Sequence, residues 1–168
     1  MSSNKCDAYN NPMLSLSIED RVKALVHAIC DDPDYTGYDT PIARQVVLTS
    51  VTPGRTEWEA TVQPFMCNKS KNLHGGAACT LLDNLTSTAL LTIAREGFLD
   101  GGHVSRTITM TYLRPVPVGT KVRMVCTAVS AGKRLAHCTG QIETMDGKLC
   151  VTMVHDKAVI PRPTNSKL

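Results

Sequence analysis

The chain has 168 residues, 42% of them hydrophobic, which is enough apolar material for the core of one domain. Its 18 Lys and Arg against 15 Asp and Glu leave a net charge of +3, too near balance for a nucleic-acid binder that rests on bulk electrostatics. The same balance leaves room for a small anionic ligand met by a few local cations. No run approaches the roughly 18 apolar residues of a membrane span. The polar opening MSSNKCDAYN has no secretory apolar stretch, so neither a membrane partner nor secretion is expected. Aromatics make up only 4%, so the core must be aliphatic.

In chain order, residues 1–13 are polar, end in Asn-Asn-Pro, and are expected to be loosely ordered. From Ser17 the residues Ile18, Val22, Leu25, Val26 and Ile29 recur at helical spacing. Ser17 suits an N-cap, Glu19 and Asp20 favour the positive end of the dipole, and Asp31-Asp32-Pro33 stops the helix. Residues 33–41 read as loop. Arg44 to Val51 reads as a strand, Pro53-Gly54 as a turn, and Thr56 to Val62 as a second strand. There Trp58, Ala60 and Val62 alternate with Glu57, Glu59 and Thr61, which predicts one buried and one wet face.

Gly75 to about Glu96 is the longest apolar run, too long for a strand, and Gly97 is expected to end it as a helix covered on most sides. Four strands follow at Val104–Leu113, Lys121–Ala131, Arg134–Thr144 and Lys148–Ile160, with hairpin signals at Gly132-Lys133 and Asp146-Gly147. Cys126, Cys138 and Cys150 recur every twelve residues, as core positions in successive strands would. The seven Cys form no CxxC pair and no zinc-spaced cluster with His, so reduced thiols and no metal are expected, as in an intracellular protein. The sequence predicts an α+β domain over 14–160, an antiparallel sheet wrapped around one central helix. An exposed tail over 161–168 follows.

Chemistry concentrates at NKSKNLHGGAACTLLDN, residues 68–84. Two Gly opening a helix leave its first N–H groups unobstructed, able to polarise a carbonyl and to stabilise an oxyanion. Asp83 lies among Ala77, Ala78, Leu81, Leu82 and Leu85, where a carboxylate carries a desolvation cost. It reads either as a general base or nucleophile, or as a carboxylate tied to Thr80 or Ser87 on its own helix. Gly75 and Asp83 are eight residues apart, roughly 12 Å along a helix, so one small carbonyl cannot touch both. If both serve one reaction, Asp83 must meet the Gly75-Gly76 terminus of another subunit.

Asn68, His74-Gly75-Gly76, Asp83-Asn84, Ser105 and Thr111-Tyr112-Leu113-Arg114-Pro115 together resemble the hot-dog-fold acyl-CoA thioesterases, in their PaaI-like, HGG-type branch. The likeness covers about 40–160. It implies a hot-dog fold, a homodimer with a continuous sheet that pairs again into a dimer of dimers, and an acyl-CoA substrate with no separate cofactor. It further implies a site at the subunit interface, with Asn68 and His74 from one subunit and Asp83 and Ser105 from the other. Gly75 and the Gly76 amide region would meet the thioester carbonyl. Asp83 would activate water or attack directly, Ser105 would help place the water, Asn68 would orient water or thioester, and His74 would shape the loop. Lys71 stands where many relatives carry Gly before the His, and Asn72 is expected to supply the left-handed turn instead.

Coenzyme A carries three phosphates, so cations are expected at the mouth. Lys133 and Arg134 match a segment that contacts the nucleotide in relatives, with Arg114 and Lys157 as further candidates. Two alternatives remain on the same fold: hydration or dehydration of a β-hydroxyacyl thioester, and non-catalytic acyl-CoA binding. Ser166-Lys167-Leu168, at a free carboxyl terminus, is the tripeptide read by the peroxisomal import receptor, so a peroxisomal location is expected.

Overall fold

The computed structural model describes residues 11–161. The expected loose order of 1–13 therefore lies outside the described residues up to Asn10, while Asn11–Ser15 form a short 3-10 turn. The tail lies outside them from Arg162 onward. No helix among the described residues is long and apolar enough to cross a membrane.

Helix α1 (Ile18–Cys30) starts where its cap predicts: the Ser17 hydroxyl accepts from the Asp20 N–H at 3.1 Å. Its C-terminal carbonyl, Cys30 O, accepts two bonds from the Arg44 guanidinium, at 2.8 and 3.2 Å. That demand on Arg44 corrects two readings. Residues 33–41 are not all loop, because Thr40–Ala43 wind into the single turn α2, with Pro41 in its first positions. The first strand, β1 (Val47–Thr52), consequently begins three residues later than expected. The next strand, β2 (Arg55–Thr61), buries Thr56, Trp58 and Ala60 and half-exposes Glu57 and Glu59, the alternation that the sequence predicts.

Helix α3 (Gly75–Leu91) is the central element. It ends five residues short of Glu96, and the stop is a side chain rather than Gly97. The Thr92 hydroxyl donates to Ala89 O at 2.7 Å and accepts from Gly54 N–H at 2.6 Å, pinning the helix end to the β1–β2 turn. Gly97, with φ +72°, serves the following turn instead. The remaining strands are β3 (His103–Tyr112), β4 (Lys121–Ala131), β5 (Leu135–Thr144) and β6 (Leu149–Val159). All pairings are antiparallel, in the order β1-β2-β4-β5-β6-β3, so β3 forms one edge of the sheet.

The sheet wraps α3, and Trp58, Leu82, Leu85, Met124, Ile142 and Met153 form the middle of the aliphatic core. Cys126, Cys138 and Cys150 are buried free thiols, one on each of β4, β5 and β6. Helix and sheet approach closely at Gly140 on β5. A Cβ added there would lie 3.0 Å from Thr86 Cγ2 and 3.2 Å from Leu82 Cδ2. Thr86 cannot turn away freely, because its hydroxyl is bonded to Leu82 O and to His155 Nδ1. Gly140→Ala is therefore expected to lower the unfolding free energy by about 1–3 kcal/mol, measured by urea denaturation. An unchanged midpoint would mean that Leu82 and Thr86 give way without cost.

Candidate active site

Coverage of α3 is one-sided where the chemistry lies. Gly76 is exposed, and Thr80 and Asp83 are half-buried, at spacings that form one stripe along the helix. Asp83 keeps 37% of its side chain exposed, so the apolar neighbours in its sequence belong to the helix's other faces. The local alternative also fails. Thr80 and Ser87 donate their hydroxyls to the backbone carbonyls of Gly76 and Asp83, leaving the Asp83 carboxylate to partners from the sheet.

Those partners converge on one oxygen. Ser105 Oγ donates to Asp83 Oδ1 at 2.7 Å. Lys157 Nζ donates to Ser105 Oγ at 3.3 Å and lies 4.0 Å from Asp83 Oδ1. His155 Nε2 is 3.4 Å from the same oxygen, a charge–dipole contact rather than an aligned hydrogen bond. Ser105 reaches Asp83 because the β3–β6 register slips between Ser105 and Thr107. Beyond this bulge Ile108 and Met110 pack on the core, whereas before it His103 and Ser105 face the polar group.

The helix start is built from a different set. His74 is the N-cap of α3, and its Nδ1 accepts from the Gly76 N–H at 2.9 Å. The Gly76 amide expected to meet a thioester is thus bonded to the exposed His74 ring in the single chain. Asn68 Oδ1 accepts from Ser70 N–H at 2.9 Å and Asn72 N–H at 3.2 Å, which closes the loop and leaves the carboxamide NH2 to face outward chemistry. Lys71 itself, not Asn72, takes the left-handed conformation, with φ +59°. Asn68 and Gly75 line a groove of about 500 Å³ with Tyr112 and Arg114, and Tyr112 Oη donates to Gly75 O at 3.0 Å.

The expected cations divide. Lys133 and Arg134 are exposed in the β4–β5 hairpin, and Arg114 is exposed while donating to Leu149 O. Lys157 is a correction: with 2% of its side chain exposed, it sits beside Asp83 and cannot reach a solvated phosphate. His155 and His103 were not singled out from sequence. The available signal was the inward face of β6, which reads Val151, Met153, His155, Lys157 and so turns from apolar to ionisable. Burial first, then the Lys157 and His155 charges, pulls His103 down to about 3. Burial and Lys157 also lower His155, against Asp83 and Asp156, and burial lowers Lys157 against Asp83 and Cys138. Among the described residues no group of three or more His, Cys, Asp or Glu is placed to hold a metal ion.

This architecture, a sheet around one helix with a double-Gly start and an acid on its open side, is that of the hot-dog fold. The sequence profile of the Thioesterase superfamily matches residues 70–151. Human acyl-coenzyme A thioesterase 13 is 30% identical over 114 residues, covering 67% of this chain and 79% of that protein. The zebra fish thioesterase superfamily member 2 structure superposes with a TM-score of 0.74 and 26% identity, covering 87% of this chain and all of that one. PaaI of E. coli, from the phenylacetic acid degradation operon, superposes at 0.66 with 16% identity over 83% of this chain and 93% of that one, a likeness of fold. The chain belongs to the thioesterase superfamily and has its hot-dog fold.

The buried histidines make stability fall in acid. Both imidazoles are held below their ordinary value in the folded chain, while the unfolded chain takes up their protons near 6.5. In that window the unfolded state binds more protons, so stability drops as pH falls from 6.5, by about 1.4 kcal/mol per pH unit for each histidine, down to about 4 for His155 and about 3 for His103. Melting curves at pH 7, 6 and 5 test this, and His103→Gln should flatten the dependence. A melting temperature constant from pH 7 to 5 would contradict it.

Proposed function

We propose that two copies of the chain build two identical sites, each of which hydrolyses an acyl-CoA thioester to the carboxylic acid and free CoA. Kinship with the acyl-CoA thioesterases makes the chain a thioester hydrolase. The single observation supporting the residue assignment is the Asp83 carboxylate, gripped through Oδ1 and open at Oδ2 on the uncovered stripe of α3.

The edge strand explains how two copies complete one site. β3 has a sheet neighbour on one side only, and Val104 and Tyr112 on it are about half exposed. Two β3 strands paired antiparallel about a two-fold axis bring the Ser105 end of one beside the Tyr112 end of the other. Asp83 and Ser105 belong to the first end. Asn68, Gly75, Tyr112 and Arg114 border one groove at the second. The separation of roughly 12 Å between Gly75 and Asp83 within a chain is thereby bridged. A further face-to-face pairing of such dimers gives the tetramer.

In this site the Asn68 carboxamide and the Gly76 N–H donate to the thioester oxygen, the latter after His74 turns away and exchanges one hydrogen bond for another. Asp83 Oδ2 takes a proton from the attacking water as its oxygen bonds to the carbonyl carbon; the C–S bond then breaks, and the departing thiolate takes that proton back from Asp83. Lys133 and Arg134, at the Asp83 end, and Arg114, at the other, are available to the phosphates of CoA. A panel of acetyl-, hexanoyl-, dodecanoyl-, palmitoyl- and phenylacetyl-CoA, read by thiol release, assigns the acyl group.

Asp83→Asn is expected to lower kcat/KM by ~10²–10⁴-fold with folding and assembly intact. Co-assembly of Asp83→Asn with Asn68→Ala subunits should restore roughly a quarter of wild-type activity, because random pairing leaves half the dimers with one intact site. An Asp83→Asn variant that keeps more than a tenth of the wild-type rate sinks the assignment, and hybrids no better than their parents sink the shared site.

The location we propose is the peroxisome. A chain ending at Leu168 presents Ser166-Lys167-Leu168 after two prolines, Pro161 and Pro163, that oppose continuation of β6. Thioester hydrolysis there returns CoA to acyl-shortening or acyl-transfer reactions. An amino-terminal fluorescent fusion should be punctate and become cytosolic when the last three residues are deleted, with unchanged activity in vitro. Identical cytosolic patterns with and without the last three residues would refute the address.

A further inference from the structure

Among the described residues Lys157 is the one ammonium that the fold buries almost completely, and no surface role accounts for it. A buried ammonium costs several kcal/mol in desolvation, and a methionine would fill the same volume without that cost. Its neighbours come from every element around it: Asp83 on α3, Ser105 and His103 on β3, Cys138 on β5 and His155 on its own strand. Asp83 is the only carboxylate within 4.0 Å of its Nζ among the described residues.

The direction of the hydrogen bonds is fixed by proton count. A serine hydroxyl has one proton, and Ser105 spends it on Asp83 Oδ1. Its lone pair is then what Lys157 Nζ donates to. The resulting chain runs Lys157 to Ser105 to Asp83, with positive charge at one end and negative at the other. With its proton committed to Asp83, Ser105 can place a water, the role expected for it from family likeness, only by accepting from that water through its second lone pair. All the close contacts fall on Oδ1, and no hydrogen bond reaches Oδ2 among the described residues.

We propose that Lys157 is a positioning residue for hydrolysis: acting through Ser105, it holds the Asp83 carboxylate by Oδ1, turned so that Oδ2 faces the substrate. The inference rests on Asp83 being the base. Lys157 itself touches neither thioester nor phosphate. Its loss should therefore reach kcat through the orientation of Asp83 and leave KM nearly alone.

The experiment measures kcat and KM separately for the full-length wild-type protein, Lys157→Met, Ser105→Ala and Asp83→Asn, with whichever acyl-CoA of the panel above is turned over fastest. With the carboxylate no longer held through this chain, Lys157→Met should lose about tenfold or more in kcat and keep KM within a factor of about two. Ser105→Ala, which cuts the same chain without touching a buried charge, should show the same split and decides the matter if Lys157→Met fails to fold. A raised KM with kcat kept, or an unchanged kcat in the folded variants, overturns the role of Lys157. If Asp83→Asn stays active, the base assignment fails instead, and the two failures are told apart by that variant alone.

Discussion

The contact on which the rest depends joins three elements through one carboxylate oxygen. Asp83 on α3, Ser105 on β3 and Lys157 on β6 meet within 4.0 Å. An ammonium in an aliphatic core is tolerated only if it has an anion and a lone pair to face. Once β6 carries Lys157 inward, α3 must present Asp83 at that height and β3 must bend to bring a hydroxyl between them. The register slip after Ser105 is that bend. The Thr86 hydroxyl, bonded to His155 Nδ1, adds a second polar tie between the same helix and strand, one turn further along.

The helix is consequently held with its polar stripe outward. A helix wholly wrapped by its own sheet would bury Gly76, Thr80 and Asp83; here the curl stops short and leaves them open. The sheet also ends at β3, whose outer edge has no strand neighbour among the described residues. In the assembly we propose, one partner, a second copy, would answer both: a two-fold pairing would satisfy the strand edge, cover the stripe and join the two ends of the chemistry in a single step.

Much of this was legible in the sequence, and the failures have physical causes. Turn chemistry and alternation located all the strands to within three residues, because Gly132-Lys133, Asp146-Gly147 and Pro53-Gly54 mark backbone geometry locally. The end of α3 was misplaced because its stop is a tertiary bond from Gly54 to Thr92, made across 38 residues. Lys71 was passed over as a left-handed residue because propensity favours Asn72. The loop overrides propensity, since Asn68 Oδ1 already holds the Asn72 N–H. The chemistry-bearing motif announced Asp83 and Ser105 by spacing. It could not announce their mutual bond, nor the burial of Lys157, because a single inserted residue in β3 decides which side chains share a face.

That single residue also sets how assembly and chemistry are linked. With 37% of its side chain exposed, Asp83 in the single chain is partly screened by water from Lys157. In the proposed pair, a second copy laid over the stripe would remove part of that water. The attraction between the two charges would strengthen as the local dielectric falls, against the cost of desolvating the carboxylate. Assembly would then act on a charge pair already built into each chain, through the same event that brings the carbonyl donors to Asp83.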